Sequence, residues 1–164
     1  YMFSPSEQLG FDIFNDEKGD CFHCHGAASS GHQMGAFGLL QFSNNGLDSL
    51  YGVGEGREGV TGNPTDRGKF KIPSLRNVEY SFPYMHDGRF ETLEEVIEHY
   101  SSGIRRHQNL SPMLLELAFH QGPNPLATTG GFNFTAAEKD ALLQFLNTMT
   151  DESFINDQRF SSPF

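Results

Sequence analysis

Cys21-Phe22-His23-Cys24-His25 is the stretch on which the reading of this chain turns. Two thiols three positions apart, followed at once by an imidazole, are what covalent haem attachment requires. The thiols add across the two vinyl groups, and the next residue, a histidine, reaches the iron from one face. A bare Cys-x-x-Cys pair also serves redox dithiols and zinc sites. The chain holds only 2 cysteines, however, so the second pair of a zinc site is missing. The two are too close in sequence to staple the fold as an ordinary disulfide, and they do not by themselves report an oxidising compartment. His23, inside the motif, reads as a spacer.

Working outward, Ser4-Pro5-Ser6-Glu7 combines an N-cap, a proline at the first helical position and a capping-box acid. It opens a helix that is expected to carry Leu9, Ile13 and Phe14 toward the core and to deliver the chain to Cys21. From Gly26 to about Arg76 no helical period appears. Gly and Asn-Gly clusters punctuate the segment, and short apolar pieces such as Phe37 to Phe42 interrupt it. A loop wrapped round the cofactor, with room for a short hairpin, is expected there. Thr92-Leu93-Glu94-Glu95 is a second capping box, placing Leu93, Val96, Ile97 and Tyr100 on adjoining turns before Gly103 stops the helix. Ser111-Pro112 caps a short third helix through Met113, Leu114 and Leu117. Thr135-Ala136-Ala137-Glu138 caps the last, with Ala141, Leu142, Phe145 and Leu146 in one stripe. The aromatic tail from Ser153 to Phe164 is expected to lie back over the surface.

The 164 residues are about one domain by length, 1–164, with a haem-binding core over 1–150 and a C-terminal tail over 151–164. With 37% hydrophobic residues and 18 glycines the chain reads as a loop-rich globule. No apolar run approaches the ~18 residues that span a bilayer, so no membrane span is expected. With Tyr1 first, the chain reads as a mature or trimmed form. A formal net charge of -10, to which haem propionates would add, makes nucleic acid a poor partner. A redox protein with a basic docking patch is a better one.

The iron's second axial ligand is open on residue type alone. Met85, Tyr100 and Met113 are candidates, beside His86, His99 and His107, and methionine, tyrosine and histidine each set a different potential. Met113 beside Leu114, and Tyr100 as an aromatic with a polar handle, also make sense as core residues.

Phe70-Lys71-Ile72-Pro73-Ser74-Leu75-Arg76-Asn77, then Phe82-Pro83-Tyr84-Met85-His86-Asp87-Gly88-Arg89-Phe90 and Thr92-Leu93-Glu94-Glu95-Val96-Ile97, are more specific than the haem box alone. Together they closely resemble the C-terminal haem domain of bacterial di-haem cytochrome c peroxidases and their MauG-like relatives, from about Glu7 to Met149. The resemblance implies a mainly α, class I cytochrome c-like fold with long loops wrapped around one covalently bound haem c. It implies that this domain transfers electrons, while peroxide reacts at a second haem in an N-terminal domain that this chain lacks. The family's distal ligand position, fourteen residues after the histidine that His86 matches, falls on Tyr100, where the peroxidases carry methionine and MauG-like proteins tyrosine. His25 and Tyr100 are therefore the expected ligand pair. The resemblance also implies calcium, held partly by the carbonyls of Ser81 and Pro83, with further ligands from the missing domain. Arg76 is a natural propionate partner, because a guanidinium fork matches a carboxylate bidentately. Asn77 is placed to bond nearby loops, and Asp87 and Arg89 flank a tight turn at Gly88. His86 reads as structural, and Glu94, Glu95 and Glu98 as a solvated helix face.

Two functions compete. As an electron-transfer domain the chain would cycle between ferric and ferrous iron with both axial positions filled, and would contain no catalytic residue. As a peroxidase or MauG-like oxidase acting on hydrogen peroxide it would be complete only with a second haem domain. A phenolate ligand lowers the potential and suits an oxidised state, which keeps the second in view. The family resemblance implies attachment outside the bacterial cytoplasm, hence a periplasmic or cell-surface protein.

Overall fold

The computed structural model describes residues 1–26, 42–120 and 126–161. The described chain is helix-rich with few, very short strands. Helices α1 (Pro5–Asn15), α2 (Cys21–His25), α3 (Glu58–Thr61), α4 (Leu93–Glu98), α5 (Pro112–Leu115), α6 (Ala136–Asn147) and α7 (Glu152–Ile155) are joined by long connections. Strand β1 (Phe42–Ser43) pairs antiparallel with β2 (Phe70–Lys71), and β3 (Ile104–Arg105) with β4 (Thr129–Gly130).

Local chemistry sets the ends of the helices. Ser4 and Glu7, Thr92 and Glu95, and Thr135 and Glu138 each form the reciprocal capping box expected of them, so two otherwise orphaned backbone donors are satisfied at each start. Ser111 departs from expectation. It stands before Pro112, but its hydroxyl makes no capping bond. Its backbone N–H donates instead to the Asn44 carbonyl, 3.0 Å away, so this helix start is fixed from the loop rather than by its own cap. Here α5 is a single turn continued by a π-helical turn, Glu116–His120, and Leu114, Ala118 and Phe119 are its buried residues, while Leu117 is half-buried.

Helix α1 crosses α6, and the crossing depends on Gly10. A Cβ there would stand 2.0 Å from the Ala141 carbonyl oxygen, so only a bare Cα lets the two backbones meet. This rotates α1 so that Gly10, Ile13 and Phe14 face inward. Leu9, expected in the core, is left 43% exposed. The α6 stripe of Ala141, Leu142, Phe145 and Leu146 is buried as expected. Phe145 receives Phe3, Phe11 and Phe14 around its ring, with centroids 5.9, 5.6 and 5.3 Å away. Burying that ring stabilises the fold by about 1.5–3 kcal/mol.

Two apolar clusters result. The first joins α1, α4 and α6 through Ile13, Phe14, Leu93, Ile97, Leu142 and Phe145, and Cys21 and Phe22 pack against it. The second gathers Ile104, Leu110, Leu114, Ala118 and Phe119, and Tyr100 packs against that one.

The expected wrapped loop is a folded segment where it is described. The pairing of β1 with β2 closes it, so the two-residue ladder joins distant ends rather than forming a tight hairpin. Inside it, buried Glu58 takes a bidentate bond from Arg67 (2.7 and 2.8 Å). The adjoining apolar piece from Phe37 falls, up to position 41, outside the described residues. The approach to the tail is tied to the body, with the Asp151 N–H donating to Asn77 Oδ1 (2.6 Å) and the Tyr80 hydroxyl to Glu152 (3.0 Å); within the tail Phe154 stacks on Phe160, and residues 162–164 lie outside the described residues.

Candidate functional site

The turn of helix that carries the thiols is short, and α1 and the first cluster hold it in place. Asp20, in the left-handed region at φ 52°, stands at its start, and its buried carboxylate pairs with Nδ1 of His23. His23, expected as a spacer, thus anchors the turn from outside. Cys21 and Cys24 are free thiols, and the Cys21 thiol lies 3.2 Å from the Gly19 carbonyl. Burial pushes the Cys21 thiol up to about 12 and the Cys24 thiol up to about 11, with Asp20 adding to both. They therefore stay protonated at neutral pH, unlike the thiolate of a reactive dithiol.

His25 follows on the same turn, 6.5 Å from the Phe14 ring. Its Nδ1 lies 3.3 Å from the Pro73 carbonyl oxygen. A carbonyl can only accept, so Nδ1 carries the hydrogen and donates, which leaves the Nε2 lone pair free. Burial pushes its pKa down to about 4, against the one bond to Pro73 that raises it. A neutral imidazole with a fixed tautomer and a free nitrogen is a ready metal ligand.

Tyr100 comes from a π-helical turn, His99–Gly103, that extends α4. Turns of this kind recur at functional sites. Its back is braced: the Tyr100 carbonyl accepts from the Phe132 N–H (3.0 Å), the Ser101 carbonyl from the Asn133 N–H (2.8 Å) and the Ser101 hydroxyl from the Phe134 N–H (3.1 Å). Gly131 permits this approach, since a Cβ there would stand 2.3 Å from the Ser101 carbonyl oxygen. Burial pushes the Tyr100 hydroxyl up to about 12, and charge on Cys24 or Cys21 would push it further. Tyr100 is thus within electrostatic reach of both sulfurs. Cys21, Cys24, His25 and Tyr100 are all half-buried, and desolvation is the largest influence on each.

The other candidate ligands are placed differently. Met85, at φ 71°, sets its sulfur 3.4 Å from Asn45 Nδ2, and the Tyr100 hydroxyl oxygen lies 3.5 Å from that same nitrogen. Met113 is half-buried on α5 and takes no part in this hydrogen-bonded group. His86 stacks on Phe70 at 3.6 Å, in keeping with a structural role. Nε2 of buried His99 donates to the Asn45 carbonyl (3.1 Å), and His107 faces Asn44. Arg76 is exposed and makes no ion pair among the described residues. Ser81 and Pro83 are exposed on the connection before Tyr84. Arg89 bonds Asp87 across the Gly88 turn and reaches Asp48 as well. Of the Glu94, Glu95 and Glu98 face, Glu95 closes the capping box and Glu98 pairs with Lys139.

Sequence reasoning did not single out Asn45, Pro73 or the bond from His99 to the Asn45 carbonyl. Asn45 reads as turn punctuation, and a proline carbonyl has no sequence signature.

The donor set fits a haem c. Two neutral thiols and a neutral, tautomer-locked histidine share one short helix, and the hydroxyl of Tyr100, packed against the second cluster, feels the charge of both sulfurs. No family model matches the chain. Among curated proteins it is 35% identical over 136 residues to the cytochrome-c peroxidase IdrP1 of Pseudomonas sp. (strain SCT), covering 67% of this chain and 36% of that protein. It is 30% identical over 143 residues to the methylamine utilization protein MauG of Methylorubrum extorquens, covering 87% of this chain and 34% of that protein. The chain thus spans about a third of the length of these curated relatives. Among solved structures, a MauG-like protein associated with microbial copper homeostasis superposes with a TM-score of 0.70 at 40% identity, covering 99% of this chain and 52% of that one. The diheme peroxidase BthA from Burkholderia thailandensis E264 superposes with a TM-score of 0.65 at 19% identity, a likeness of fold.

Proposed function

Since this chain belongs to the bacterial di-haem cytochrome c peroxidase and MauG-like family, we propose that it is the electron-transfer haem domain of such a protein. In this reading it is a class I cytochrome c-like unit spanning 1–164 with a single haem c. Cys21 and Cys24 hold the haem by thioether links, His25 is the proximal ligand and Tyr100 the distal one. The observation that carries the reading is that the Tyr100 hydroxyl, desolvated and close to Asn45 Nδ2 at 3.5 Å, feels the charge of both Cys24 and Cys21.

Bound there, the haem supplies a one-electron ferric/ferrous couple. The protein's part is to hold and tune it. Pro73 fixes the tautomer and ring orientation of His25, and desolvation keeps the imidazole neutral so that its lone pair is always available. Tyr100 would have to lose its proton to serve as a ligand, and the second cluster, against which it packs, would hold its ring in place. The exposed Arg76 guanidinium serves a propionate. Calcium at the Ser81 and Pro83 carbonyls belongs to the two-domain protein, since its other ligands would come from the second domain. The protein acts in the periplasm or at the cell surface, with a redox protein or the second haem domain as partner.

A second reading has a specific observation behind it. The 40% identity to a MauG-like protein, covering 52% of that chain, favours a peroxidase or MauG-like oxidase that uses hydrogen peroxide once a second haem domain is present. Steady-state turnover of hydrogen peroxide with a reduced donor separates the two. The electron-transfer reading expects this chain alone to be reversibly reduced and to turn over peroxide no faster than a free haem peptide; a faster rate would make it an enzyme in its own right.

A further inference from the structure

The loop Asn44-Asn45-Gly46 is tied to several elements at once. Asn44 is fully buried, with Nδ2 3.1 Å from His107 Nδ1, Oδ1 accepting from the Gly46 N–H (2.8 Å) and its carbonyl accepting from the Ser111 N–H (3.0 Å). The Gly46 carbonyl accepts from the Arg105 N–H at the start of the β3–β4 unit (2.7 Å). The Asn45 carbonyl accepts from Nε2 of His99, the residue next to Tyr100 (3.1 Å). The Asn45 backbone is therefore clamped from both sides, and its side chain is aimed rather than free.

Its aim is specific. The carboxamide nitrogen has two hydrogens. The Met85 sulfur lies 3.4 Å from it and the Tyr100 hydroxyl oxygen 3.5 Å. These acceptors are two of the candidate distal ligands, one soft and one hard. We propose that Asn45 is the positioning residue of the distal side. One N–H occupies the Met85 sulfur, and the other donates to the Tyr100 oxygen, so that oxygen rather than sulfur is presented to the iron. A hydrogen bond to an anionic oxygen is stronger than one to a neutral hydroxyl, so the bond to Tyr100 tightens when the phenol gives up its proton. It also withdraws density from the oxygen and makes the phenolate a weaker donor, which is how a hydrogen bond beyond the ligands raises a haem potential. The proposal rests on the Tyr100 assignment above.

The test uses the holoprotein with Asn45→Ala and Asn45→Asp. The first removes the donor without adding charge, the second keeps the side chain's shape but replaces the donor with a carboxylate, and both keep the backbone bond to His99. Both variants are expected to retain a phenolate-to-iron charge-transfer band that moves to longer wavelength. Their midpoint potential should fall, with the ferric preference rising about tenfold, or about 59 mV for a one-electron couple. A near-infrared methionine band that appears in Asn45→Ala and vanishes on adding Met85→Leu leads to the same conclusion, since it shows the sulfur released. A wild-type band and potential in folded Asn45→Asp overturns the proposal while leaving Tyr100 as ligand. The same potential shift produced in a Tyr100→Phe background also overturns it, because Asn45 would then act by another route. Absence of the phenolate band from the wild type removes the Tyr100 assignment and this proposal with it.

Discussion

His25 and Tyr100 are both kept neutral by desolvation before any metal arrives, the first near 4 and the second near 12, but ligation asks different things of them. The imidazole already offers a lone pair, whereas the phenol must lose a proton, so only a strongly charged iron draws it in. Tyrosine as a ligand therefore favours the ferric state. Replacing Tyr100 with methionine is expected to raise the midpoint potential of the holoprotein and to add a near-infrared methionine band, measured by spectroelectrochemistry; an unchanged potential would mean that Tyr100 is not bound. At this scale the sequence was legible wherever the chemistry is local. Cys21, Cys24 and His25 declare themselves by spacing. The contacts of Pro73, Asn45 and His99 do not, because each is made to a residue 48, 55 or 54 positions away.

Helix starts were legible for the same reason, since a capping box is complete within four residues, and three of them formed where Ser4, Thr92 and Thr135 announced them. Helix rotation was not. Leu9 looked like a core residue by period, but the close approach of Gly10 to Ala141 fixes how α1 is turned, and a glycine leaves no trace in an apolar pattern. The crossing gives a test in which two effects oppose. Alanine in place of a mid-helix glycine gains about 1 kcal/mol of helix propensity. A Cβ 2.0 Å from a carbonyl oxygen overpacks a junction that can yield only by parting the helices, which costs about 1–3 kcal/mol or more. Packing should win, so Gly10→Ala is expected to lower the denaturation midpoint of the holoprotein. A rise would mean that the helices do not cross this closely. The loop makes a second prediction. The Arg67 guanidinium and the Gly54 N–H hold the Glu58 carboxyl at about 2, below its ordinary 4.5. A lowered carboxylate pKa contributes stability that is present above about 4.5 and is lost as the pH falls toward 2. Glu58→Gln should therefore flatten the pH dependence of denaturant stability across that window, with little change in its slope above it.

Over the whole molecule, charge and apolar packing divide the work. Cys21 packs against one apolar cluster and Tyr100 against the other, so the candidate ligands are held by different parts of the core. The mainly helical class was legible from the apolar stripes, but the ordered interior of the 44–69 loop was not, because its stability comes from the Glu58–Arg67 pair and strand pairing across the loop. The surface, at a formal -10, suits a basic redox partner. Association with such a partner should slow steeply as ionic strength rises past the point where the Debye length shrinks to about 10 Å, measured by stopped-flow reduction; a salt-independent rate would remove electrostatic docking. The proposed function turns on which residue would face a haem iron opposite His25. The absorption spectrum of the ferric holoprotein, recorded from the visible into the near infrared, tests that most directly. A phenolate-to-iron charge-transfer band with no methionine band is the predicted result, and a near-infrared methionine-to-iron band in the wild-type protein would contradict it.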